Sequence, residues 1–404
     1  MHLWNIFFVL GSALIEARES PRIPVVAPGP KAVPSGIFDV TCREAWKFPE
    51  KLPFQRPSLG LDDNIDIVTG SQFNGLATYA NLPYLNCLSD KEVDGNKYDI
   101  AILGAPFDTG VTARPGARYG PTGIRVGSQR KEAEFSWSIY TGRNPLKSWA
   151  TIVDCGDVPM TRLDNNVALA QLDKAHIVVS GRRASNEVYS AHPRIITLGG
   201  DHTTTLSALR STYKRWGQVS VIHFDSHIDT WDPAVLGGGI SDYAGLNHGT
   251  FLHIAHEEGL IRHTSIHAGI RAPLLRKKGD VRNDVRCGFS TIKARDLDRV
   301  GTAGIISQIK ERVGDSNVYI SVDIDVLDPA FAPATGTPEP GGWSSRELLT
   351  ILDGLNGLNI VGGDVVEVSP IYDTSAETTT LAAAEVVFSL IELMVENPAK
   401  RQLF

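Results

Sequence analysis

Short apolar runs that alternate with helical patterns dominate the chain from about residue 97 onward. The apolar runs are rich in Ile and Val and lie at 98–105, 151–154, 195–198, 219–224, 265–270, 318–324 and 360–368. Helical patterns separate them at 203–216, 249–261, 302–313, 344–355 and 380–396, and Ser344 or Ser345 with Glu347 is typical of a helix N-cap. Nearly continuous apolar strands between helices predict a mainly parallel sheet covered on both faces, an α/β fold of the three-layer α/β/α type.

The first 96 residues have a different pattern. Leu3–Ile15 is an apolar run of 13 residues, too short to cross a bilayer as a helix but typical of the centre of a signal peptide. We therefore expect a signal peptide over residues 1–17, with a buried amphipathic N-terminus as the alternative. A proline-rich, irregular arm over 18–96 and the main domain over 97–404 follow. The expected location is the secretory pathway, extracellular or vacuolar, and the alternative is the cytoplasm.

Composition narrows the range of partners. The 404-residue chain has a formal net charge of −7 and a pI of about 5.9, so neither nucleic acid nor an anionic membrane is an expected partner. No other segment is judged long and apolar enough to anchor the chain in a membrane. The four cysteines form no CxxC pair, which argues against a zinc site or a dense disulfide framework. A Cys42–Cys87 bridge and free buried thiols both remain open.

Acidic and histidine side chains cluster where predicted strands end. Six of them follow three strands: His202, Asp225, His227, Asp229, Asp323 and Asp325. Extended geometry would turn alternating residues to one side, and open α/β sheets bind ligands at the carboxyl ends of their strands. Four carboxylates crowded together would repel one another unless two divalent cations balanced their charge. Oxygen and imidazole ligands without thiolate favour two Mn²⁺ per subunit, with zinc, cobalt and nickel as chemical alternatives.

Five segments around these residues are similar to motifs of the ureohydrolase family, which includes arginases and agmatinases. They are GGDH (199–202), DSHID (225–229), SVDIDVLDP (321–329), DVVEVSP (364–370) and GAPFDTGVTARPGARYGPTGIR (104–125). The resemblance implies an arginase-like fold and a catalytic domain over 97–404. It also implies hydrolysis of a small cationic guanidino compound to an amine and urea. Family members form trimers or hexamers, so a homo-oligomer is expected.

The resemblance also implies roles for individual residues. One metal ion would be bound by His202, Asp225, Asp229 and Asp323, and the other by His227, Asp225, Asp323 and Asp325. Asp229 would in addition guide a proton during catalysis, His248 would be the proton shuttle, and Glu367 would hold the guanidinium group. The sequence departs from the family at Ser226, where alanine is usual, and we expect little consequence.

Two positions bear on the choice of substrate. Arginases have an asparagine two residues after the last aspartate of the DxHxD cluster and a Ser-Gly-Asn before the His-Gly, whereas this chain has Trp231 and Ala244–Asn247. Agmatine is therefore favoured over arginine, with 4-guanidinobutyrate and 3-guanidinopropionate as alternatives. Two other classes remain open: a single-zinc deacetylase of the same architecture, and an inactive relative that only binds its ligand.

Overall fold

The computed structural model describes residues 75–241 and 243–398. The expected signal peptide, Cys42 and most of the proline-rich arm lie outside these residues. The part of the arm that is described, residues 75–96, packs against the main domain. Tyr79 is fully buried, and its hydroxyl donates a hydrogen bond to the carbonyl oxygen of Ala384 at 2.7 Å.

Eight strands of the described chain form one parallel sheet, in the order β2-β1-β3-β8-β7-β4-β5-β6. They are β1 Ile100–Gly104, β2 Ile152–Asp157, β3 Arg194–Leu198, β4 Ser220–Phe224, β5 Ser265–Ile270, β6 Phe289–Lys293, β7 Asn317–Asp323 and β8 Asn359–Val366. Helices cover both faces, which confirms the predicted fold class. The pattern of apolar residues missed β6, because this edge strand is only partly buried and carries Ser290, Thr291 and Lys293.

The helices of the described chain lie before, between and after these strands. They are α1 Asp90–Val93, α2 Gly120–Gly127, α3 Asn165–Ser180, α4 Thr204–Trp216, α5 Phe251–Glu257, α6 Lys277–Arg286, α7 Leu297–Val313, α8 Ser345–Gly354 and α9 Thr378–Glu396. The N-cap predicted for α8 is confirmed: Ser344 Oγ accepts from the Glu347 amide, and the Glu347 carboxylate accepts from the Ser344 amide. Helix α6 was missed because its sequence is mostly polar and has no continuous apolar stripe.

The last helix, α9, corrects one expectation from the sequence. By length and composition alone it could cross a membrane, with a mean hydropathy of 1.6 over its most apolar 18 residues. However, 67% of that segment is buried inside the protein, where α9 packs against α2, α8 and β8. Its apolar character is therefore that of a core helix.

The Cys42–Cys87 bridge considered above is wrong, because Cys87 is bonded to Cys155. The chain before Cys87 runs beside β2: the Leu85 amide donates to the Asp154 carbonyl oxygen at 2.9 Å, and the Asp154 amide donates to the Pro83 carbonyl oxygen at 3.0 Å. This pairing brings the two cysteines together. Cys287 is a buried free thiol.

The central strands position the predicted site. Strands β3, β8, β7 and β4 are consecutive neighbours in the sheet. His202 follows β3, Glu367 follows β8, Asp323 ends β7 and Asp225 follows β4. Because the strands are parallel, these four side chains meet at one edge of the sheet, where open α/β folds bind their ligands.

Candidate metal centre

One group of buried ligand atoms surrounds the imidazole of His202. Its Nδ1 lies 3.2 Å from Asp225 Oδ2, 3.1 Å from Asp229 Oδ2 and 3.4 Å from Asp323 Oδ2. Atoms bound at right angles to one cation with bonds of about 2.1 Å lie about 3 Å apart, so these distances suit a shared divalent ion. The structure thus brings together the four residues that the sequence predicts for one metal ion.

A second group lies on the other side of Asp225. His227 Nδ1 is 3.3 Å from Asp225 Oδ1 and 3.1 Å from Asp325 Oδ2. The two oxygens of the Asp225 carboxylate thus face different groups, as expected of a carboxylate that bridges two ions. Asp323 Oδ1 accepts a hydrogen bond from the Asp325 amide at 2.8 Å, and this contact ties the two groups together.

The backbone conformation that brings these side chains together differs from the predicted one. Strand β4 ends at Phe224, so Asp225, His227 and Asp229 do not alternate along a strand, and that part of the prediction is wrong. Asp229 instead has a left-handed backbone with φ of 50°. Asp325 lies in a 3₁₀ turn, Ile324–Val326, that begins directly after β7. A left-handed backbone at a residue other than glycine costs roughly 1–3 kcal/mol and persists only where its surroundings hold it.

The donor set fits divalent cations. Among the described residues, His202 Nδ1 and Asp225 Oδ2 are buried and have no hydrogen-bond partner. Burial and the charge of Asp225 raise the pKa of Asp229 to about 6. Burial, together with Asp325 and Asp225, raises the pKa of Asp323 well above its usual range. Cations would satisfy the unpaired atoms and relieve the repulsion that causes these shifts.

Glu367 and His248 lie side by side next to the first group. Glu367 has a left-handed backbone with φ of 61°, and its Oε1 accepts from the His202 amide at 2.9 Å. Its Oε2 is buried without a hydrogen-bond partner in the described structure, so it can receive a donor from a ligand. His248 Nδ1 is 3.4 Å from Glu367 Oε1, and its Nε2 is 3.0 Å from Thr112 Oγ1. Burial opposes protonation of His248, but Glu367 and the nearby aspartates outweigh it and raise the pKa of His248.

A cavity of about 320 Å³ lies beside His248 and the two metal-binding groups. Its lining residues include His227, Asp229 and His248, together with Trp231 and Glu339. The Glu339 carboxylate is 3.8 Å from His227 Nε2 and partly exposed. Glu339 was missed from the sequence, since nothing in its spacing links it to the aspartate clusters.

Two further residues beside the metal-binding groups were also missed. His223 Nε2 is 3.0 Å from Asp225 Oδ2, and strand alternation from Asp225 could have revealed it. Ser226, expected to be inert, donates from Oγ to Asp325 Oδ1 at 2.8 Å, and its amide donates to the same oxygen at 3.0 Å. Its hydroxyl therefore helps to orient a predicted metal ligand.

Comparisons with known proteins agree with this geometry. Residues 98–392 match the model of the arginase family. A Schizosaccharomyces pombe protein named "Putative agmatinase 1" is 50% identical over 341 residues, covering 82% of this chain and 85% of its own. An agmatinase of Salmonella dublin is 37% identical, covering 72% of this chain and 86% of its own. The structure of proclavaminate amidino hydrolase from Streptomyces clavuligerus aligns with a TM-score of 0.69 at 33% identity, covering 80% of this chain and 99% of its own.

Metal binding should stabilise the fold through Asp225. At free Mn²⁺ of about 100 times the dissociation constant, one occupied site adds about 2.7 kcal/mol to the free energy of unfolding. We expect Asp225→Asn to lose most of this gain, because the carboxylate faces both groups. Asp280→Asn, at a buried carboxylate outside the cluster, should keep it. Urea unfolding with and without Mn²⁺ measures the effect; equal stabilisation of wild type and Asp225→Asn would contradict the assignment.

Proposed function

The chain belongs to the arginase family, and we propose that it is a two-manganese hydrolase that cleaves agmatine to putrescine and urea. The prediction of a hydrolase acting on guanidino compounds is confirmed by the family match and the relatives. The family is dependent on two metal ions, and the two groups that share Asp225 form a candidate centre for them. Both observations favour a two-metal hydrolase over a single-zinc deacetylase or an inactive binding protein.

Manganese is the proposed metal because the donor set consists of carboxylate oxygens and imidazole nitrogens, without thiolate. His202, Asp225, Asp229 and Asp323 would hold one ion, and His227, Asp225, Asp323 and Asp325 the other. When bound, the pair supplies hydroxide at neutral pH, because a divalent cation lowers the pKa of water to about 7. Zinc, cobalt and nickel are the chemical alternatives.

The remaining residues bind the substrate and move protons. The unpaired Oε2 of Glu367 accepts hydrogen bonds from the guanidinium and orients its carbon toward the metal centre. The carboxylate of Asp229, which lines the cavity, would accept a hydrogen bond from the attacking hydroxide and guide its proton. His248, whose raised pKa favours its protonated form, donates a proton to the departing amine.

One observation favours agmatine over the other guanidino compounds. The described residues that line the cavity include the carboxylate of Glu339 but no lysine or arginine. A substrate that ends in a carboxylate, such as 4-guanidinobutyrate, would find no counter-charge there, whereas the terminal ammonium of agmatine can pair with Glu339. Trp231, at the position where arginases have asparagine, covers another part of the wall with an apolar ring.

A homo-oligomer, trimeric or hexameric, completes the proposal. Four large apolar side chains lie close together in sequence and are 66–89% exposed: Phe135, Trp137, Ile139 and Tyr140. They border a groove of about 420 Å³ away from the metal centre. Exposed apolar groups of this kind favour a protein interface, and a second copy of the chain is the proposed occupant.

The contrast between Glu367→Gln and His248→Ala tests the proposed roles. Glu367→Gln keeps the shape but loses charge-assisted hydrogen bonding worth about 1.5–3 kcal/mol, so KM for agmatine should rise roughly tenfold to a hundredfold. His248→Ala should lower kcat while both manganese ions stay bound, since no proposed ligand is removed. Steady-state urea release with metal analysis of each variant checks this; loss of manganese from His248→Ala would contradict its role.

A substrate panel tests the specificity. Agmatine should exceed arginine in kcat/KM by at least about a hundredfold, the scale of two missing polar contacts. Glu339→Gln should lower kcat/KM about tenfold for agmatine but leave butylguanidine, which has the same chain without the amine, unchanged. An equal loss for both substrates would instead assign Glu339 to the orientation of His227. Turnover of 4-guanidinobutyrate alone would refute the agmatinase assignment and leave the hydrolase chemistry intact.

We also propose that the protein enters the secretory pathway and acts outside the cell or in a vacuole. The apolar run Leu3–Ile15 supports this, as does the Cys87–Cys155 disulfide, since disulfides persist mainly in oxidising compartments. Full-length protein from a eukaryotic host should begin after residue 17 and give a linked Cys87–Cys155 peptide without reduction. An intact N-terminus in a cytosolic fraction would contradict the proposal.

A further inference from the structure

A chain of three buried side chains leads from helix α6 to the metal-binding cluster. Asp284 Oδ1 lies 2.8 Å from His267 Nε2. His267 Nδ1 lies 2.8 Å from His223 Nδ1. His223 Nε2 in turn is 3.0 Å from Asp225 Oδ2, the carboxylate shared by the two groups of ligand atoms. None of these three residues has a role in the activity described above.

The fold holds the side chains of Asp284, His267 and His223 firmly in place. His223 and His267 are register partners on the adjacent parallel strands β4 and β5, and both are fully buried. The ring of His267 stacks on Phe289 of β6 with a centroid distance of 4.0 Å. Asp284 also accepts a hydrogen bond from Thr230 Oγ1 at 2.7 Å. Each ring therefore has one orientation in which its nitrogens meet these partners.

The donor and acceptor roles of these side chains give the series of hydrogen bonds a direction. A carboxylate oxygen accepts hydrogen bonds, so His223 Nε2, which lies 3.0 Å from Asp225 Oδ2, is the nitrogen of that ring that donates. The two Nδ1 atoms share one proton, so one of them must donate and the other accept. With Nε2 as its donor, His223 accepts through Nδ1 from His267 Nδ1, and the other ring nitrogen of His267 lies 2.8 Å from Asp284 Oδ1.

We propose that Asp284 and His267 position His223 so that its Nε2–H donates to the metal-binding carboxylate of Asp225. His223 Nε2 and Asp225 Oδ2 have no hydrogen-bond partner among the described residues. Their 3.0 Å contact is within reach but not aligned, as is common before a site is filled. Carboxylates that ligate metals are themselves held by hydrogen bonds, and loss of such a partner typically weakens metal binding by about 10- to 100-fold.

The inference rests on the proposed metal centre, and manganese affinity tests it independently of catalysis. We expect His223→Phe, which keeps a ring but removes the N–H, to weaken Mn²⁺ binding about 10- to 100-fold. The matched control is His176→Phe. His176 is fully buried in α3, and its ring nitrogens have no hydrogen-bond partner within the described chain. Titration calorimetry on metal-free protein, with circular dichroism to check folding, gives both affinities.

Activity at saturating manganese distinguishes a positioning role of His223 from a catalytic one. Under that condition His223→Phe should regain a kcat within about threefold of wild type, because the residue acts only through Asp225. Asp284→Asn should weaken Mn²⁺ binding less, and should have no further effect in the His223→Phe background, since both act through one path. This variant also tests the inference if His223→Phe does not fold.

Three results would overturn the inference. They are Mn²⁺ affinity of His223→Phe within threefold of wild type, equal losses in His223→Phe and His176→Phe, and full additivity of Asp284→Asn with His223→Phe. Failure of the wild type itself to bind Mn²⁺ would instead refute the metal centre, so the two failures are distinguishable.

Discussion

The mutual repulsion of four buried carboxylates is the constraint on which the rest of the site depends. Asp225, Asp229, Asp323 and Asp325 are nearly inaccessible to solvent, and each lies within a few ångströms of another. Protonation could neutralise them only by giving up the oxygens that face the two imidazoles. Two divalent cations would neutralise all four and would also satisfy the unpaired nitrogen of His202. The arrangement of these carboxylates is therefore that of a cation-binding site.

The crowded carboxylates are held in place because they belong to several different elements of the fold. The proposed ligands follow β3 and β4 or lie at and just after the end of β7, and Glu367 follows β8, which lies between β3 and β7. Each of these strands is buried on both faces, so the positions at which they end are fixed by the core rather than by the site. The short segments beyond the strands then adopt costly conformations, such as the left-handed backbones of Asp229 and Glu367. Strain of this kind is tolerated where the surrounding structure holds it.

The sequence alone predicted the parallel α/β sheet and the six residues that meet at its edge, because apolar periodicity and the position of charges after strands are local signals. It did not predict how those residues meet. Alternation placed Asp225, His227 and Asp229 on a strand that in fact ends before them, so residues that do lie close together were chosen from a wrong local geometry. Ser226 was expected to have little effect because its side chain is small. Its hydrogen bond to Asp325 depends on a turn that no sequence pattern predicts. Partners distant along the chain, including Cys87–Cys155 and Asp284–His267–His223, exist only once the strands are adjacent.

The most direct test of the two-metal centre is anomalous diffraction at the manganese absorption edge from crystals grown with Mn²⁺. Two anomalous peaks are expected within bonding distance of Asp225. One should also contact His202, Asp229 and Asp323, and the other His227, Asp323 and Asp325. A single peak with a complete set of ligands, or peaks that avoid Asp225, would contradict the central claim that two ions share the carboxylate of Asp225.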